Sequence, residues 1–407
     1  MQSKIVRFVK LDVLNACRRS KTIVWGYKTL RLVAGAIILL CLRLLSPLVR
    51  VRIGFLMYDR IGHLAANTEY WLRKEYTKRR PEEKCILLSS SRPANQQLVD
   101  MFKRIVPIIE SNVLYGAMAL AKKRWPNLPV WLDLASVGPH DCILWSNSKT
   151  QLAFTAEEML RGKSLLRTMG VPDGAPYVCF AIRDKAYLKD IKKGEPTHYH
   201  DYRDADIEKC RLMAEWLASK GIWAIRVGAV VGKPFRSDNP RIIDYASHYR
   251  SDFGDIFLLG NCKFFVGDTA GIFWPAGILG VPVALTNQVP ITHLCPIAGS
   301  MVMMKKYRRI GEADFTSYRE IVRSGIDGYL SAQEYETAGI ELVENTPEEI
   351  LCMVQEMNAR IDGDWKSTAE DEALHESFWS IFPPGHPTRG YVCRVPIGFL
   401  EANRALI

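Results

Sequence analysis

The sequence predicts an α/β protein of two parallel-sheet domains facing each other across a cleft, preceded by a basic amphipathic and apolar amino-terminal membrane segment. Three observations predict it. The chain has 407 residues, more than one hydrophobic core usually organises. Short apolar strand-like runs alternate with helical stretches in both halves, the pattern of parallel sheets covered by helices. Between the halves lies a cluster of breaker residues, Gly170-Val171-Pro172-Asp173-Gly174-Ala175-Pro176. The expected units are residues 1–50, 51–172, 173–365, and a helical segment 366–407 that packs back on the first domain.

The amino-terminal segment carries the net charge. Residues 1–52 hold eleven Lys and Arg against one acid, Asp12, while the rest of the chain has 43 basic and 43 acidic residues. A balanced body argues against a nucleic-acid groove. Inside the charged segment runs the apolar stretch Leu32–Leu42. Eleven helical residues cover about 16 Å, roughly half a bilayer core. With cations on both sides and Phe8, Trp25 and Tyr27 nearby, the stretch reads as lying in the headgroup region of an anionic leaflet, where each cation contributes about 1 kcal/mol. A tilted single span over residues 32–49 is the alternative. Ten scattered cysteines without a C-x-x-C pair suit reduced thiols in a cytoplasmic compartment, so the expected location is the cytoplasmic face of a membrane.

In order along the chain, Val51–Met57 reads as a strand, Leu64–Tyr76 as a helix, Cys85–Ser89 as a strand, Gln96–Glu110 as a helix and Val130–Leu134 as a short strand. After the breaker cluster the alternation restarts. Tyr177–Ile182 is a strand, Asp204–Lys220 a helix ended by Gly221, Trp223–Val227 a strand and Phe253–Leu259 a helix. Lys263–Val266, Ile272–Leu279 and Val281–Leu285 give strand, helix, strand, and Pro347–Ile361 and about 370–380 are helical.

The strongest local signal is the apolar strand ending in Gly267-Asp268-Thr269-Ala270-Gly271, with a helix expected directly after. Small residues let backbone amides approach a ligand, and a helix start favours an anion such as a diphosphate. Read blandly, it is a strand-to-helix turn capped by Asp268 or Thr269. Arg183 and Arg226 stand at the carboxyl ends of two expected parallel strands, where open α/β sheets bind ligands. Gly228 and Lys233 follow on the same edge. His63 and Asp59, on the turn after the first strand, are candidates for a general base, His by its near-neutral titration. His198-x-His200 beside Asp201 has no convincing further ligand set, so no metal is expected there.

The stretch from Phe264 to Val283 resembles the (D/S)-(T/S)-G-x-x-H-x-A-x-x-x-G-x-P signature of heptosyltransferases and related GT-B enzymes. It departs from it by the inserted Ala270 and by Trp274 or Pro275 where a His is usual. The resemblance extends to bacterial glycosyltransferases of surface-polysaccharide loci. It is carried by Arg60-Ile61-Gly62-His63-Leu64 with Asn67-Thr68-Glu69, Ala181-Ile182-Arg183-Asp184, and His200-Asp201-Tyr202-Arg203-Asp204. Ile225-Arg226-Val227-Gly228, Ser251-Asp252-Phe253 with Asp255, and Asn345-Thr346-Pro347-Glu348-Glu349-Ile350 complete it. A fainter likeness is to inverting fucosyltransferases.

What the resemblance implies is a GT-B glycosyltransferase of two Rossmann-like domains, using a nucleotide sugar as substrate, without a cofactor and without a metal. The acceptor is lipid-linked or a glycan, and nucleic acid is not a partner. His63, Asp59 and Arg183 are the catalytic candidates. Arg183, Arg226, Gly228, Lys233, Asp268, Thr269, Ala270 and Gly271 would hold the donor. His200, Tyr202 and Arg203 would form a loop over it, with Arg60, Gly62 and Asn67 on the acceptor side. A non-catalytic nucleotide-sugar-binding protein of the same fold is the alternative.

Overall fold

The computed structural model describes residues 21–80, 82–135, 141–183 and 198–407. Its first half is a three-stranded parallel sheet, β1 (Arg50–Phe55), β2 (Glu83–Ser89) and β3 (Ile108–Glu110), in that order. Trp131 adds a single bridge to Ile53 on the outer side of β1 in place of the expected fourth strand. The expected helix 96–110 is confined to Gln96–Lys103. Pro107 disfavours helix at the residue before it, and its carbonyl accepts from Leu87 N, so the chain turns into β3.

The second half holds six parallel strands: β4 (Tyr177–Phe180), β5 (Trp223–Arg226), β6 (Ile242–Asp244), β7 (Phe265–Gly267), β8 (Val283–Gln288) and β9 (Met301–Met304). Their order is β6-β5-β4-β7-β8-β9, so the winding reverses between β4 and β7. A small antiparallel sheet of β10 (Lys306–Arg309), β11 (Phe315–Thr316) and β12 (Ile340–Val343) follows. The chain is therefore mixed α/β with parallel sheets, as the alternating pattern predicts.

Two expected boundaries are corrected by packing. Helix Ala156–Thr168 sits before the breaker cluster yet rests on the second half, where Gly162 lies under the Phe257 ring. Residues 366–407 were expected against the first domain; they pack on the second core instead. Phe378, Phe382, Val395 and Phe399 are buried in it, and Arg394 bridges Met301 of β9.

Helix Ile61–Lys74 joins the halves. It is buried on nearly every side, and several of its polar residues reach partners on both halves. Asn67 Nδ2 donates to the Leu134 carbonyl at 2.8 Å. Arg73 pairs with Glu69 at 2.7 Å, and donates to the carbonyl of Ser148 and, across the junction, to that of Ile278. Glu69 also accepts from Gln151 N. Gly62, in the first turn of this helix, meets Gly271 of the second half backbone to backbone.

The amino-terminal helix spans Lys21–Leu45 and lies along helix Asn112–Arg124. No helix among the described residues is long and apolar enough to cross a membrane. No disulfide joins the described cysteines.

A Cβ added at Gly62 would sit 2.7 Å from Gly271 Cα, and one at Gly271 2.9 Å from Gly62 Cα. Both obstacles are backbone, so Gly62→Ala must part the halves. The expected cost is about 1–3 kcal/mol, read as a lower urea midpoint of the full chain.

Candidate active site

Open α/β sheets bind ligands outside the strand ends where the winding reverses. At that point, beyond β4 and β7, the structure has a cavity of about 440 Å³. The first half supplies Arg60, Gly62, His63 and Asn67 from the start of helix Ile61–Lys74. The second supplies Arg183, Arg203, Arg226 with Gly228, the turn Thr269-Ala270-Gly271, and Gln288.

The polar character of this cavity begins with a helix start. Helix Ile61–Lys74 has Arg60 as its N-cap residue and no side-chain cap on its first turn, so backbone donors and the positive end of the helix dipole are offered there.

Four arginines then surround the space, in different states. Arg226 is buried, bonded to Asp244 at 3.4 Å and to the Lys233 carbonyl at 2.7 Å, so its guanidinium braces the strand edge. Arg183 pairs with Asp204 at 3.0 Å. Arg203 is desolvated, which pulls its pKa down, as does the neighbouring Arg183 charge; its Nε is buried with no hydrogen-bond partner. Two more cavity-lining groups share that condition, Thr269 Oγ1 and Gln288 Oε1. Buried polar atoms of a native fold are normally satisfied, so these three are groups that a polar ligand or water in the cavity could satisfy.

Local structure explains how these groups are aimed. Asp268, expected to touch the donor, is buried behind the cavity and accepts from Arg183 N at 2.8 Å and Ala270 N at 3.0 Å. It clamps the end of β4 to the turn after β7. Burial raises its carboxyl pKa to about 6. The helix expected directly after it starts only at Phe273, with Ile272 as an uncapped N-cap, and runs six residues. Any anion contact there comes from the turn, not a helix terminus. Lys305, buried, donates to the carbonyls of Tyr202 and Asp204 and so holds the backbone on both sides of Arg203. Gln288 is aimed by a bulge in β8 at Asn287, whose φ is 51° and whose backbone N–H donates to the Asn345 side chain.

His63 borders the cavity. Burial lowers its pKa below 6.5 and the Arg60 charge adds to this, against the hydrogen bond to the Asn67 side chain and the Asp59 charge. Its neutral form dominates at pH 7. Asp59 itself is exposed and does not line the cavity. Lys233 is also outside it, exposed and paired with Asp206 at 3.0 Å. Tyr202 is buried against Tyr335, with ring centroids 5.3 Å apart, and the side chain of His200 and residue Asp184 lie outside the described residues.

Sequence reasoning gave no role to Asp255, Trp274, Gln288 or His293, all of which line the cavity. Asp255 accepts from Tyr245 and Arg250, and burial raises its pKa to about 7. Trp274, where the resembling signature has a His, stacks on Phe273 and packs against Trp145 of the first half.

No protein-family model and no curated protein sequence matches the chain. Among solved structures it is similar to the ADP-heptose LPS heptosyltransferase II of E. coli, at 11% identity over 58% of this chain and 84% of that one, TM-score 0.37. It is also similar to the family 9 glycosyl transferase of Veillonella parvula DSM 2008, at 10% identity over 77% and 98%, TM-score 0.48. A third is E. coli heptosyltransferase WaaC with ADP, at 10% identity over 58% and 89%, TM-score 0.27.

Asp268→Ala strands two buried amide donors that a carboxylate now satisfies. The expected loss is about 2–4 kcal/mol of stability at pH 7, measured by urea unfolding.

Proposed function

We propose that the chain is a glycosyltransferase of the two-domain GT-B type. It moves a sugar from a nucleoside-diphosphate donor to a lipid-linked or polysaccharide acceptor in bacterial surface-glycan synthesis, working at the cytoplasmic face of an anionic membrane. The observation that carries this reading is the convergence on one cavity of Arg183 and Arg203, the latter with its Nε buried and unpartnered, opposite Arg60 and the helix start it caps on the other half.

The chemistry follows from charge. As the nucleoside diphosphate departs, negative charge builds on its phosphate oxygens, and guanidinium and amide donors stabilise that charge best in a site removed from water. Arg183 and Arg203 are assigned to the phosphates, with Thr269 and the Ala270-Gly271 backbone beside them. Gln288 offers an acceptor oxygen, which suits a donor group on the nucleoside or sugar. His63, neutral and held by Asn67, takes the proton of the attacking acceptor hydroxyl. The basic amino-terminal segment brings this cleft to the lipid that carries the acceptor.

Calorimetric titration of the full chain with ADP, GDP, UDP, CMP and pyrophosphate tests the donor site. At least one nucleoside diphosphate should bind, and Arg203→Gln should weaken it about 10- to 100-fold, the range of a hydrogen bond to a charged group. Binding of none sinks the reading.

For the base, His63→Gln should lower kcat/KM about 10²- to 10⁴-fold. Because burial lowers the His63 pKa, the acid limb of the wild-type pH profile should fall below pH 6.5 and vanish in the variant. A limb near pH 7 that survives in His63→Gln points to Asp255 instead.

A further inference from the structure

The amino-terminal helix Lys21–Leu45 has two apolar faces, and the first half of the protein covers one of them. Gly35 abuts the Ala117 carbonyl, Arg31 lies against Gly116 and donates to the Asn112 carbonyl, and Ile38, Leu39 and Leu42 pack beside Met118 and Ala121. On the opposite side, at 3.6 residues per turn, runs Leu30, Val33, Ile37, Leu40 and Leu44. These five are 68%, 49%, 56%, 58% and 71% exposed. The turn after the helix carries Leu48, 84% exposed, and Trp25 in its amino-terminal part is exposed as well.

We infer that this outward stripe is a lipid-insertion face, and that the helix lies in the plane of an anionic membrane as a monotopic foot. The inference rests on the membrane association proposed above and adds its orientation and its residues. A contiguous apolar stripe of this length needs cover, and charge decides which. Lys28, Arg43 and Arg50 are exposed along it, and no acid occurs among residues 21–52. The stripe also has heptad spacing, but pairing two copies would bring these uncompensated cations together, whereas an anionic lipid surface neutralises them.

Docking also argues for an in-plane helix. Its inner face is held by helix Asn112–Arg124, whose last turn carries Lys122, Lys123 and Arg124. Sinking the apolar run across a bilayer would drag those cations with it or strip the helix from its seat. Lying flat, the stripe reaches the acyl boundary while the cations stay among headgroups.

Flotation of the full chain with vesicles of phosphatidylcholine, alone or with roughly a third phosphatidylserine, tests this. The variant combines Ile37→Glu with Leu40→Glu, both on the exposed face, with circular dichroism and thermal midpoint checked for an unchanged fold. Wild type should prefer the anionic vesicles by at least about tenfold, and the double variant should lose at least about tenfold of that binding. Undiminished binding by a folded double variant overturns the insertion face while sparing membrane association. Wild type that ignores anionic vesicles overturns both. A wild-type dimer by sedimentation velocity without lipid, dissociated by the same two substitutions, assigns the stripe to a second copy and overturns the proposal.

Discussion

The backbone contact between Gly62 and Gly271 sets the geometry of everything around the cavity. Neither position has room for a Cβ, so the first turn of helix Ile61–Lys74 approaches the turn after β7 as closely as two chains allow. That closeness brings the donors of a helix start on one half within reach of arginines on the other. The rest of the helix makes the approach rigid: Arg73, tied to Glu69, reaches the carbonyl of Ile278, and Trp145 packs against Trp274 across the same seam. Burying such an ion pair stabilises little in net terms, but breaking it would leave an uncompensated charge, so the arrangement favours one alignment over others.

A second layer of buried polar contacts orients the far wall. Asp268, Lys305 and Asn345 lie behind the cavity, and each grips backbone rather than ligand. Together they hold the segments bearing Arg183, Arg203 and Gln288. Arg203 Nε, Thr269 Oγ1 and Gln288 Oε1 remain open on the cavity side of these braced segments. Such a site has its donors fixed before a ligand arrives, so little ordering entropy is spent on binding.

The parallel-sheet architecture was legible in the sequence because strand-helix alternation is written in apolar runs and breakers, and so was the position of the cavity. Arg183 and Arg226 were found from strand ends alone, yet their states were not. Whether an arginine is a brace, like Arg226 on Asp244, or an unsatisfied donor, like Arg203, depends on residues distant in sequence. Asp268 misled for a related reason. A carboxylate in a Gly-Asp-Thr turn serves equally as ligand contact or backbone clamp, and only the position of Arg183 N, 85 residues away, decides. The carboxyl-terminal segment was misplaced because an amphipathic helix states that one face must be covered and not by what. Gln288 carried no local signal, since a bulge in β8 aims it.

Charge is distributed in this chain according to how much water each site keeps. The exposed cations of the amino-terminal helix, Lys28 and Arg43, stay hydrated, so any pull they exert on an anionic surface is long in reach and weakened by salt. The cavity concentrates few cations, several already matched by Asp204 and Asp244, in a place where screening is weak. There even one unmatched donor group, Arg203 Nε, counts for more than several exposed lysines, because a buried donor gains the full hydrogen bond when an anion arrives. A net charge read from composition reports the first population and is nearly blind to the second, which is why a body with balanced charge still encloses a cavity lined by four arginines.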